Sequence, residues 1–286
     1  MLEMILGPRK AERHPWEMFI IGLLYASLSV LLVSWIFGQD AVLSKYSGIL
    51  IVTFTVMFSI PFMYYIIKLE EEKDLQENIG FLSLLKEHSK ALKAFTWLFL
   101  GFVVAFSFWY IVLPSSDNFR AQIETYCWIN RPANFEQCIS DYGVEVTSKT
   151  TGFATNKERL FMIFSNNIYV MIFTLIFSLI FGAGAIFILA WNASVIAAAI
   201  GIFSKESLAY LPVGLGRYMI HGLPEILAYF IAALAGGILS IAIIRHDFKG
   251  DKFWKIIQDS LNLVILAVVV LFIAGLIEVF ITPILF

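Results

Sequence analysis

Long uninterrupted apolar runs alternate with short polar stretches along the chain, and this pattern predicts helices that cross a membrane. The first run, WEMFIIGLLYASLSVLLVSWIF, extends from Trp16 to Phe37 with tryptophan near both ends, as in an interfacial belt. A polar turn with Asp40 and Lys45 leads to a second span over about 48–67, which Pro61 is expected to kink. Residues 68–93 are strongly charged, with Ile79, Leu82, Leu85 and Leu92 at roughly helical spacing. They fit either a helix lying on the membrane surface or a solvated linker. A third span is expected over 94–113, and the long polar segment 114–158 follows. A fourth span is expected over 160–191, then the apolar NASVIAAAIGIF from Asn192, a strong run over 217–244, the polar RHDFKGDKFWK, and a last span over 261–281.

The chain has 286 residues, of which 59% are hydrophobic and 15% charged, with 27 phenylalanines. Soluble domains have about 45–50% apolar and about 25% charged residues. The fold class expected is therefore all-α, a multi-pass transmembrane helical bundle. A β-barrel is excluded because the apolar runs are continuous rather than alternating. No small-residue cleavage site follows the first run, so that run is expected to be a span that also directs insertion. The net charge of −2 carries no nucleic-acid footprint. The expected partners are the lipid bilayer and membrane or cell-envelope proteins, with a second copy of the chain left open, and no nucleic acid, cofactor or metal.

Positive charge sets the expected topology. Lysine and arginine gather in the leader (Arg9, Lys10, Arg13), in 68–93 (Lys68, Lys73, Lys86, Lys90, Lys93) and in 245–255 (Arg245, Lys249, Lys252, Lys255). These segments are expected to be cytoplasmic and the cysteine-bearing loop outside. Parity then requires something between 192 and 216 to return the chain to the outer side. A short or broken segment over about 193–212 is expected to do so, its irregular part buried in protein. That makes about seven membrane segments in a plasma-membrane protein, N-terminus inside and C-terminus outside.

Cys127 and Cys138 both lie in the loop 114–158. One pair does not make a four-ligand zinc site, and a disulfide in an oxidising compartment is the simpler reading. At about this size a loop domain rarely holds itself without such a staple.

The candidate chemistry is the set of polar groups within apolar segments: Glu225 and Glu278 inside spans, His221 and Asn192 at segment boundaries, Asn166 and Asn167 near one. A carboxylate near the centre of a span costs roughly 3 kcal/mol on insertion scales, so both acids should face the bundle interior. His221 and Glu225 are one helical turn apart and share a face. Pro224 between them removes an amide donor and should bend the helix. The plainest reading is that these groups hydrogen-bond one another and fix helix register. A proton or ion path is the next. HGLPE is not H-E-x-x-H, the other histidines (His14, His88, His246) lie in expected cytoplasmic segments, and no G-x-S-x-G is present. No catalytic residue is therefore assigned, and the protein is expected not to be an enzyme. Gly182 and Gly184 in GAGA, Gly222, and Gly236 and Gly237 in AALAGG are expected to let helices approach closely, with the fourth span touching the 217–244 span. The sequon Asn192-Ala193-Ser194 lies at an expected cytoplasmic edge and is discounted.

In order along the chain stand Asn166 and Asn167 at the head of a span, a Gly-rich span, WNASVIAAAIG, HGLPEILAYFIAALAGG and a terminal IEVFITP. This order resembles the stage II sporulation protein M family of integral membrane proteins over about the last 190 residues. The resemblance divides the chain into an N-terminal two-span extension with its charged linker, 1–93, and a five-segment core, 94–286. It implies a non-enzymatic membrane scaffold. The bacterial namesake supports a peptidoglycan-degrading complex that drives membrane migration during engulfment. By position, the family's recurrent polar residues fall on Asn167, Asn192, His221, Gly222, Glu225 and Glu278. A transporter or channel subunit using the buried acids is the alternative, since discontinuous helices recur at transport sites.

Overall fold

The computed structural model describes residues 14–40, 42–74, 88–114, 116–130, 134–142, 156–181, 186–204, 209, 211–244 and 251–285. Helices α1 (Glu17–Phe37) and α2 (Ser47–Asp74) form an N-terminal hairpin, and α3 (Ser89–Val112) follows. Two short helices, α4 (Arg120–Asn130) and α5 (Phe135–Asp141), lie between α3 and α6 (Asn156–Phe181). Then come α7 (Ile186–Ser204), α8 (Leu211–Ile244) and α9 (Asp251–Leu276), which ends in a π turn, Ile277–Ile281, and a last helical turn, Thr282–Leu285. Among the described residues there is no strand. Six helices are long and apolar enough to cross a membrane, and 186–202 forms a shorter apolar helix. The protein is an all-α multi-pass bundle.

Local chemistry sets the ends. Pro15 precedes α1, and the Gly38 amide closes its last turn on the Ser34 carbonyl. Asp40 Oδ1 then accepts from the Val42 and Leu43 amides, each at 2.8 Å, and organises the 3-10 turn Leu43–Tyr46 that leads into α2. Those two amides hold the Asp40 carboxyl below its ordinary value. Helix α2 continues through Pro61, and the first part of the charged stretch, 68–74, is a continuation of it. The surface-helix expectation for the rest falls mostly on 75–87, outside the described residues.

The span boundaries near residue 190 differ from those expected. The fourth span ends at Phe181, not Trp191, and a new helix starts at Ile186 and runs unbroken through Ser204. The return segment is thus 186–204 rather than a broken 193–212. Hydropathy does not register the division because the Gly and Ala residues of 182–185 leave the apolar run intact. Asn192 consequently lies within α7, not at a boundary, and the sequon's Ala193 and Ser194 are buried.

Helix directions account for the return. Asn167 of α6 pairs with Glu225 and Tyr229 of α8, and further along Ser178 pairs with Ala233. The offsets, 58, 62 and 55 residues, stay nearly constant, so α6 and α8 run parallel. A chain that leaves α6 and re-enters parallel to it must travel back between them, and α7 does so. At about 1.5 Å per residue its 19 residues cover about 28 Å.

One apolar core runs from Met18 in α1 to Leu271 in α9. The division at residue 93 is therefore one of sequence, not of packing. A Cβ on Gly22 would collide with the Leu98 carbonyl, and one on Gly101 with the Phe19 carbonyl, so α1 and α3 touch backbone to backbone. Phe95 and Phe99 of α3 pack on Phe230 of α8, with ring centroids 5.6 and 6.2 Å apart. Helix α8 is the axis: 83% of its apolar window is buried, against 17% for α6 and 28% for α9.

Cys127 of α4 and Cys138 of α5 form a disulfide, and both are buried. Phe119, Ile123 and Tyr126 bury the inner side of this stapled cap. Gln122 reaches further in: its Nε2 donates to the Gly48 carbonyl at 3.0 Å and to Ser194 Oγ at 3.1 Å. It thereby rivets α4 to both the N-terminal hairpin and α7.

Candidate functional site

Four polar side chains on α8, Tyr218, His221, Glu225 and Tyr229, follow one another at spacings of three or four residues. That spacing puts them in one stripe down a single face of an otherwise apolar helix. At its outer end the Tyr218 hydroxyl donates to the Tyr126 hydroxyl of the cap at 3.3 Å, so the stripe begins beneath α4. Pro224 lies inside α8 without ending it, and it cannot donate to the carbonyl one turn earlier.

Two helices meet at Glu225. Asn167 Nδ2 of α6 donates to Glu225 Oε1 at 2.7 Å, and the Tyr229 hydroxyl donates to Asn167 Oδ1 at 3.0 Å. Asn167 is buried and its amide bridges two residues of α8, which fixes the register of the two helices. From α9's end, the π turn that carries Glu278 packs against α8. One turn on, Thr282 Oγ1 lies 3.3 Å from His221 Nδ1 and donates to the Ile277 carbonyl at 3.2 Å.

Glu278 and Thr282 reach α8 through the π turn, which carries Glu278 and hands the chain on at Thr282. A π turn inserts one extra residue into a helix, and such insertions concentrate at functional sites. Below Tyr229 the helices close up. A Cβ on Gly236 would lie 2.6 Å from the Leu175 carbonyl oxygen and 3.0 Å from Ser178 Cβ. The polar stripe thus runs from the cap to Tyr229, and past it comes a close backbone seam at which Ser178 donates to the Ala233 carbonyl.

The structure brings Asn167 and Glu225 together directly, with His221 one turn earlier on α8 beside Thr282 and Glu278 in the π turn that packs against α8. It does not bring in Asn166, which is exposed. Asn192 donates instead to the Ile188 carbonyl of its own helix at 2.7 Å. Gly222 is buried and faces Ile196 of α7, and Gly236 and Gly237 are buried in α8. Gly182 and Gly184 lie outside the described residues. Among the described residues, no group of three or more His, Cys, Asp or Glu is placed to hold a metal ion. Sequence reasoning missed Tyr229, Thr282 and Gln122. The first had a signal, since it continues the four-residue step from His221 to Glu225.

No curated protein and no solved structure matches the chain. The sequence profile of a family described as Stage II sporulation protein M matches residues 94–283. The match takes in most of α3, the cap, every residue of the polar cluster and the π turn, and leaves out α1 and α2. Covering more than half of the chain, it establishes that this membrane-type protein belongs to the Stage II sporulation protein M family.

Proposed function

We propose that the protein is a non-enzymatic scaffold of the plasma membrane that acts by holding partner proteins of the membrane or cell envelope. Its N-terminus is cytoplasmic, and its disulfide-stapled cap and C-terminus lie outside. The observation that carries this reading is how the intramembrane polar groups are used. Asn167, Glu225 and Tyr229 bond one another across α6 and α8, Thr282 after the π turn meets His221, and the seam at Gly236 lies below. Such groups tie helices together in an apolar setting.

The competing reading, a transporter or channel subunit, draws on the buried acids and the short helix α7. Two experiments on the full-length protein separate the two. In-membrane crosslinking should return a reproducible partner, retained by Glu225→Gln, and reconstituted proteoliposomes should show no pH-driven flux over a panel of solutes. A pH-dependent flux abolished by Glu225→Gln would overturn the scaffold reading.

A further inference from the structure

We propose that α6 is the pairing helix of a parallel homodimer: a second copy of the chain packs along its outward face, and the two Asn166 amides bond each other across the two-fold axis. The proposal does not rest on the scaffold reading and holds whether or not the protein binds another partner.

Helix α6 is the least covered of the six spans, with 17% of its apolar window buried. One side of it bonds α8 through Asn167 and Ser178. The other side carries Met162, Asn166, Tyr169, Phe173, Ile176 and Ile180, all exposed. Their spacing alternates between four and three residues along the span. That is the repeat of a coiled-coil seam, whose average step of 3.5 residues keeps one stripe facing a second helix. Exposed apolar residues by themselves suit lipid, as do Trp35 of α1 and Phe272 of α9. Asn166 does not.

Asn166 lies six residues into the apolar window Leu160–Ile180, about 9 Å from its start at the helical rise per residue. Thr53, Thr55, Ser59, Thr174 and Asn192 each donate to the carbonyl four residues earlier in their own span. Asn167 donates to Glu225. The Asn166 side chain makes neither kind of bond among the described residues. Lipid chains offer it none. A side chain this short does not carry its polar end to the interface as lysine or arginine does.

A second copy meets this need with the same residue. A carboxamide holds both a donor and an acceptor, so Nδ2 of each Asn166 donates to Oδ1 of the other. Two copies inserted in the same sense carry Asn166 at the same depth, and a two-fold axis along the membrane normal brings like residues face to face. In heptad terms Asn166, Phe173 and Ile180 take the a positions, and Met162, Tyr169 and Ile176 the d positions. A single asparagine at an a position is the device that fixes register and copy number in parallel pairs. A different protein would need a polar group of its own at that depth, whereas a second copy always has one.

The test uses the full-length protein in lipid vesicles. Copies labelled in two colours on a C-terminal tag should show energy transfer that falls on dilution with lipid, as a dimer in equilibrium does. Asn166→Leu should weaken association about tenfold, and Asn166→Gln, which keeps the carboxamide, should weaken it less. Asn262→Leu on α9, where the amide is half-buried, should leave association unchanged. A short bifunctional maleimide should join copies that carry Met162→Cys or Tyr169→Cys and should not join copies that carry Ile265→Cys on α9. The natural cysteines do not compete, because they are bonded to each other. Energy transfer absent at every dilution, association unaltered in Asn166→Leu, or joining through α9 or to a different protein in place of α6 to α6 would each overturn the dimer. The wild-type dilution and the cysteine variants keep Asn166, so the proposal stays falsifiable even if an Asn166 variant fails to fold.

Discussion

Two helix joints in this molecule make the same close approach by different means. Where α1 crosses α3, Gly22 and Gly101 let backbone meet backbone, and the neighbours are apolar, Phe19 lying edge-on to Trp97 at 6.3 Å. Where α6 meets α8, Gly236 provides the same approach against Leu175, but a few turns away Asn167, Glu225 and Tyr229 add a hydrogen-bonded bridge. The first joint shows that small residues and packing suffice to bring helices together in an apolar setting. The polar bridge is therefore not needed for contact as such. What it adds is a single register for α6 on α8.

The largest effect should come from filling the glycines. Gly101→Leu drives a side chain into the Phe19 carbonyl, and Gly236→Leu into the Leu175 carbonyl. Ordinary overpacking costs about 1–3 kcal/mol because side chains can move, but here the obstacle is backbone. Both variants should lose monodisperse protein in size-exclusion profiles of detergent extracts. If either ran as the wild type does, that joint would not be the close contact described.

A smaller effect separates the joints. Asn167→Ala leaves Glu225 without one donor and Tyr229 without its acceptor, and should lower stability by about 1–3 kcal/mol. Tyr229→Phe removes one bond and keeps the ring, for about 1 kcal/mol. Both should lower the thermal midpoint while the extract stays monodisperse, in contrast to the glycine variants. Equal collapse in all of them would mean that the bridge and the seam form one indivisible joint.

How much of this was legible varies by element. The bundle was, because spans of this length and apolarity leave few other folds. So was the need for a return between 192 and 216, which rested on charge parity rather than on hydropathy. Its position was not: the Gly-Ala stretch 182–185 reads as span, so 160–191 merged two helices. At the site, Asn167, His221, Glu225 and Glu278 stand out because a polar group in an apolar run does. Tyr229 and Thr282 look like ordinary span residues until a partner faces them. The π turn has no sequence mark of its own, since the contact beside it, Thr282 with His221, comes from another helix. Gln122 was invisible for the opposite reason: it sits in a polar segment, and only docking of the cap buries it.

The smallest effect lies outside both joints, in the turn between α1 and α2, where a polar contact should answer pH. In the N-terminal hairpin, Asp40 accepts from the amides of Val42 and Leu43 as a carboxylate, and these hold its pKa below the ordinary value. A carboxyl shifted down on folding contributes stability that is complete above its unfolded value and is lost as pH falls through the folded one. Acid should therefore loosen the turn at 40–46. Hydrogen exchange, corrected for intrinsic rates, reads it. Asp40 is fully exposed, so the acid effect should be confined to the amides of Val42 and Leu43 and shrink in salt. Asp40→Asn keeps an oxygen that accepts from the same amides but does not titrate in this range, so it should keep the turn and abolish its acid dependence. Acid dependence of the Val42 and Leu43 amides that survives in Asp40→Asn would remove the carboxylate as its source.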